Sequence, residues 1–186
     1  MLAREMLAVR EANGLHHLDI RCLPAAFHNH PERIAPALDG AIRKARREGF
    51  QKVFVAYADC GSGGAIDRVC AEHGVERIPG PHCFAFYIGN HVFAERDAEA
   101  DFVTTFFLTD FLVRHFDAFC WQPLGLDRHP ELRDTYFGNY TRALHLAQTD
   151  DSALAEAARG CAERLGLRLE TRRTGYGDLT PALADA

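Results

Sequence analysis

A chain of 186 residues, 47% of them hydrophobic, can bury one substantial core and falls close to the usual single-domain range, so one domain covering residues 1–186 is expected. A formal net charge of −5 and a pI near 6.0 argue against a nucleic-acid partner, which an overall basic surplus would attract. No run approaches the roughly 20 apolar residues that span a bilayer, and the N-terminus lacks the plan of a secretory signal, which predicts a cytoplasmic protein with no membrane partner.

Residues 1–13, MLAREMLAVREAN, place Leu2, Met6, Leu7 and Val9 near helical spacing, and Asn13-Gly14 supplies a stop. Residues 18–23 alternate well enough for a strand ended by Pro24. Phe27-His28-Asn29-His30-Pro31 then sets two imidazoles in a loop at that strand's end. A helix over about residues 31–48 stops at Gly49, and its basic cluster of Arg43, Lys44, Arg46 and Arg47 reads as a solvated face.

Val53-Phe54-Val55-Ala56-Tyr57 is too short for a free-standing helix and rich in β-formers, so it reads as a buried strand. Asp59 and Cys60 stand at its end. Gly61-Ser62-Gly63-Gly64 follow, with glycines that permit tight turning and close backbone approach to a ligand. A helix over residues 65–73 comes next, then a second short apolar stretch running into Pro79-Gly80-Pro81, with His82-Cys83 directly after.

Residues 82–88 and 92–100 read as helical, and FVTTFFL, residues 102–108, reads as a buried parallel strand. Thr109-Asp110 offers an N-cap for a helix through Phe119. A short helix is expected over residues 130–137 and a strand over 140–147. Asp150 or Asp151 caps an alanine-rich helix, residues 152–165, that Gly166 ends, and residues 167–171 make a last strand. The tail holds Gly175-Tyr176-Gly177-Asp178, placed either to fold back as a loop or to open a final short helix. Strands alternating with helices predict an α/β three-layer sandwich with a mostly parallel sheet, Rossmann-like in plan.

The six cysteines, Cys22, Cys60, Cys70, Cys83, Cys120 and Cys161, are scattered, and a chain of this size needs no disulfide staples. Cys70, Cys120 and Cys161 read as small core hydrophobes. If the strands before Cys60 and Cys83 are parallel neighbours, two thiols and an imidazole meet at the carboxyl edge of the sheet, where open α/β folds put ligands. Cys60, Cys83, His28 and His82 are the residue types that a borderline-soft ion such as Zn²⁺ takes, and an iron–sulfur cluster is a lesser variant. Zn²⁺ would act as a Lewis acid on water or on a small-molecule substrate, with Asp59 orienting an imidazole.

A second reading gives Gly61, Ser62, Gly63 and Gly64 the task of presenting backbone N–H groups to an anionic small molecule at a helix N-terminus, without catalysis. The same helix dipole would activate Cys60 as a nucleophile, with His28 or His82 as base. His30, His115 and His129 read as surface or loop histidines.

The stretches CLPAAFHNHPERI, VFVAYADCGSGGAIDRV, VERIPGPHCFAFYIG, FFLTDFLVRHFD, GLDRHPELRDTYFGNYTRALHLAQTDD and TGYGDL extend over most of the sequence. On these the chain resembles the uncharacterised domain-of-unknown-function 1638 family. The resemblance implies no assayed reaction. It implies that His28, Cys60 and Cys83 fall on recurring His and Cys positions of the family, whereas His30 does not. It also implies a further strand ending in Cys-Gly ahead of Leu2-Ala3-Arg4-Glu5, and hence one more thiol ligand than this sequence contains.

Overall fold

The computed structural model describes residues 2–186. It is an α/β fold in which every strand pair is parallel. Among the described residues the strands form two sheets, β1-β2 and β3-β4-β5. The chain divides accordingly into two compact units. The first runs through Phe86 and takes in Tyr176–Ala186, and the second is Tyr87–Gly175.

In the first unit, α1 (Ala3–Ala12) precedes α2 (Ile34–Arg47), β1 (Phe54–Val55), α3 (Ala65–His73) and β2 (Glu76–Arg77), and α10 (Leu179–Ala184) comes last. The apolar residues of α2 recur at helical spacing, so Ile34, Leu38, Ile42 and Ala45 all turn inward. They meet Val55 of β1, Ile66 and Cys70 of α3 and Val75, which form one buried cluster. Arg43, Lys44, Arg46 and Arg47 are exposed, as the solvated-face reading expects. The tail does begin a helix, and Asp178 N donates to Phe86 O at 2.8 Å.

Residues 18–23 form no strand. Alternation in sequence supplies a face but not a pairing partner, and a strand needs both. Leu18, Ile20 and Leu23 instead line a cavity beside β1.

The second unit carries α5 (Asn90–Arg96), α6 (Ala100–Val103), β3 (Thr105–Thr109), α7 (Asp110–Arg114), α8 (Arg133–Phe137), β4 (Arg142–Ala147), α9 (Ser152–Leu165) and β5 (Arg168–Arg173), while α4 (Ala85–Ile88) spans the boundary. The expected caps are made. Thr109 Oγ1 accepts from Leu112 N at 3.3 Å, and Asp151 accepts from Ala153 N at 2.9 Å and Leu154 N at 3.3 Å. Gly166 ends α9 at φ 72°, where a side chain would be strained. Leu108, Ala143, Ala158 and Leu165 belong to its core, together with Cys120 and Cys161. Burial pushes the Cys120 thiol up to about 12 and Cys161 to about 11, the behaviour of small hydrophobes rather than reactive groups. The edge strand β5 exposes Arg168, Arg172 and Arg173, and such charges discourage edge-to-edge pairing.

Leu146 is 0% exposed on the central strand β4. Leu146→Ala should cost roughly 2–5 kcal/mol in urea unfolding, whereas Arg47→Ala on the exposed face of α2 should stay within about 0.5 kcal/mol. Similar midpoints for the two variants would contradict this placement.

Candidate functional site

Parallel pairing of Phe54 with Glu76 and Val55 with Arg77 sets the carboxyl ends of β1 and β2 side by side. The pairing continues past the strands. Ile78 N donates to Val55 O at 3.0 Å, Asp59 N to Gly80 O at 3.0 Å, and Cys60 N to Pro81 O at 2.9 Å. Pro79 and Pro81 have no N–H, so at those positions the second loop can only accept. The two loops are thereby fastened to each other up to the cysteines they carry.

The result is a pair of neighbouring thiols, Cys60 and Cys83, close enough to shift each other's ionisation. Interaction with Cys83 holds the Cys60 thiol below the ordinary range. The same interaction, together with burial, pushes Cys83 well above it. One sulfur is thus prepared to carry charge and the other to keep its proton. Cys60 has φ 49°, the left-handed region, and is the only non-glycine residue there among those described. Backbone strain of this kind concentrates where a side chain must be presented in one direction.

Both cysteines line a cavity of about 440 Å³, whose walls include Leu23, Ile34, Leu38 and Ile42. Tyr57 also lines it. Burial first, and then the nearby charge of Cys60 and Cys83, raises its phenol to about 12, so it stays protonated as a donor. His28 lines the same cavity from an exposed position, and partial desolvation of its ring lowers its pKa. Cys22 is exposed and also reaches the cavity wall.

His82 is placed differently. It stacks on Phe84 with centroids 5.0 Å apart, and it is not among the cavity-lining residues. Of the four expected ligands, the structure therefore sets Cys60 and Cys83 on adjoining loops of one cavity, adds His28 to the same cavity and sets His82 aside. No group of three or more His, Cys, Asp or Glu side chains close enough to hold a metal ion exists among the described residues. His30 and His129 lie beside exposed Glu32 and Glu131, and His115 packs between Phe111 and Phe119.

The glycine loop is closed on itself. Ser62 Oγ and Gly64 N both donate to Asp59 Oδ1, at 2.7 and 2.8 Å. The Ser62 hydroxyl, with help from the Gly64 and Gly63 N–H groups, holds the Asp59 carboxyl below its usual range. Asp59 thus fills the concavity that Gly61–Gly64 would otherwise offer to an external anion, and its visible role is to fix the turn that presents Cys60.

A buried polar cluster in the second unit was not singled out by sequence reasoning. His145 Nε2 lies 3.0 Å from Asp110 Oδ1, Thr149 Oγ1 donates to Asp110 Oδ2 at 2.9 Å, and Asp110 N donates to Gln148 Oε1 at 2.8 Å. Burial opposes ionisation of Asp110, but the bonds from His145, Thr149 and Gln148 hold its carboxyl below the usual value. A partial signal was available: Asp110 follows β3 directly, at a strand end of the kind that receives ligands, whereas His145 lies inside β4 with Leu146 and Ala147 after it.

Two outcomes follow. Alkylation of Cys60 in reduced, chelated protein should titrate with a midpoint below the ordinary thiol value of about 8.5, and Cys83→Ala should move that midpoint up; a wild-type midpoint at or above the ordinary value would contradict the pairing. For Asp59 the folded pKa is depressed, so its stabilisation is complete above the unfolded value of about 3.9 and is lost as pH falls through the lower folded value. Asp59→Asn should then cost about 1 kcal/mol at neutral pH, and the gap to wild type should close in acid; a gap that widens in acid would refute the assignment.

No curated protein and no solved structure matches this chain. A family model does match, over residues 22–183, and that span includes both thiols, His28 and the loops that carry them. The chain belongs to the family described as "Protein of unknown function (DUF1638)".

Proposed function

We propose that the first unit is a thiolate-centred site for a small molecule, in which Cys60 and Cys83 act as one unit and bind a borderline-soft metal ion such as Zn²⁺. The observation that carries this reading is the backbone alignment that delivers Cys60 and Cys83 from separate strand ends to the wall of one largely apolar cavity. Thiolates are the preferred donors of such ions, and an open coordination position is what a catalytic centre needs. His28 is a candidate third ligand because it lines the same cavity and its neutral form is favoured there, and it would have to move toward the sulfurs to complete the set. The bound ion would polarise a substrate oxygen or stabilise a substrate thiolate. An apolar cavity of about 440 Å³ suits a compact organic substrate rather than a polymer. A cytoplasmic setting goes with this reading, since the thiols must be reduced to coordinate.

The alternative, anion binding at Gly61–Gly64, has less support because two of the loop's donors already converge on Asp59.

Reduced protein should bind about one equivalent of Zn²⁺ or Co²⁺ per chain. Cobalt loading should give thiolate charge-transfer absorption that Cys60→Ser and Cys83→Ser abolish, His28→Ala weakens and Cys22→Ser retains. A strongly coloured protein as purified would point instead to an iron–sulfur cluster. Absence of stoichiometric binding by the reduced wild-type chain would refute the metal assignment.

A further inference from the structure

Two neighbouring cysteines on loops fastened to each other can do something that neither can do alone. Their sulfurs have only to approach to a bond of about 2.05 Å to form a disulfide. The surroundings suit such a step. The donors Asp59 N and Cys60 N fasten the two loops at Gly80 O and Pro81 O, which keeps the cysteines in register. Gly61 at φ 80° and Gly80 at φ 138° flank the pair with backbone that adjusts at low cost. Both cysteines also line the cavity and are only half-buried, so a small reagent has a route to them.

The remaining cysteines have no such arrangement. Cys70 is buried in the first unit's core, and Cys120 and Cys161 are buried in that of the second. Cys22 reaches the cavity wall but is exposed.

We propose that Cys60 and Cys83 form a two-electron dithiol–disulfide couple whose oxidant is a small, weakly charged organic disulfide entering the apolar cavity. The inference rests on the part of the preceding reading that treats the two thiols as one centre, and it adds an activity and a substrate class. In the first step one cysteine sulfur, as thiolate, attacks a sulfur of the substrate R–S–S–R. A protein–S–S–R mixed disulfide forms, and RS⁻ departs and takes up the proton as RSH. In the second step the other cysteine attacks the protein sulfur of the mixed disulfide and releases the second RSH. The substrate gains two electrons and two protons, the pair loses them, and a small dithiol reductant resets the site. A Cys60–Cys83 disulfide has no thiolates to offer a metal, so oxidation and metal binding exclude each other.

The substrate class follows from the cavity walls. The cationic side chains on these walls, Arg21 and Lys52, are exposed and already engaged, Arg21 with Asp19 and Glu48 and Lys52 with Asp185 O. Leu23, Ile34, Leu38 and Ile42 therefore favour an uncharged disulfide, which loses little by leaving water, over a multiply charged tripeptide one.

The test uses the full-length reduced chain, treated with 2-hydroxyethyl disulfide or glutathione disulfide and followed by intact-mass and peptide mass spectrometry. The wild type should lose two hydrogens and yield one cross-linked peptide pair joining Cys60 to Cys83, about tenfold faster with 2-hydroxyethyl disulfide. Cys83→Ser and Cys60→Ser should stop at a mixed disulfide on the remaining member of the pair, and Cys22→Ser should still yield the Cys60–Cys83 cross-link. A stable mixed disulfide on the wild type without the internal bond, or cross-links made elsewhere, would overturn the proposal. Faster oxidation by glutathione disulfide would overturn the substrate class. Zinc binding measured on the same reduced preparation separates this proposal from the metal reading: binding without the cross-link defeats only the couple, and the cross-link without binding defeats only the metal centre.

Discussion

The candidate site depends on a short run of backbone hydrogen bonds, from Ile78 N to Val55 O and on through Asp59 N to Gly80 O and Cys60 N to Pro81 O. Strands β1 and β2 are each two residues long, so side-chain packing from so brief a ladder would leave their loops loosely placed. Extending the pairing beyond the strands puts Cys60 next to the loop that ends in Cys83. The nearness of the two thiols, the opposite displacement of their pKa values and the common cavity wall all follow from that alignment.

The loop chemistry serves the same end. Asp59 spends its carboxylate on the Ser62 hydroxyl and the Gly64 N–H, which stiffens the turn and lets Cys60 hold a left-handed φ of 49°. A glycine-rich loop after a strand invites a phosphate-binding reading. Here an internal carboxylate supplies the negative charge instead, and the loop becomes a support for the thiol. The distinction could not be read from Asp59-Cys60-Gly61-Ser62-Gly63-Gly64 alone, because it depends on which way one side chain turns.

Much of the fold was legible where local signals agreed. The helix over 65–73 matches α3, and that over 152–165 matches α9 with Asp151 as its cap. The strands over 102–108 and 140–147 appear as β3 and β4, trimmed at their starts. The strand expected over 18–23 is absent because its alternation has no ladder to join. The helix expected through Phe119 breaks at His115, with φ −125°, and resumes as a π-helical turn over Asp117–Trp121. For the site, residue type and strand-end position were enough to bring Cys60 and Cys83 together. Stacking of His82 on Phe84, and the union of His145 with Asp110, are matters of side-chain direction and strand register that spacing does not encode.

The claim that Cys60 and Cys83 form one centre is tested most directly with phenylarsine oxide, a trivalent arsenical that holds firmly only where two thiols can reach the same arsenic atom. The account predicts a stable adduct on the reduced chain, with peptide mapping that ties the arsenic to Cys60 and Cys83 together and with loss of the adduct when either is changed to serine. An arsenic bridge that involves Cys22 in place of either residue, or no stable adduct at all, would contradict it.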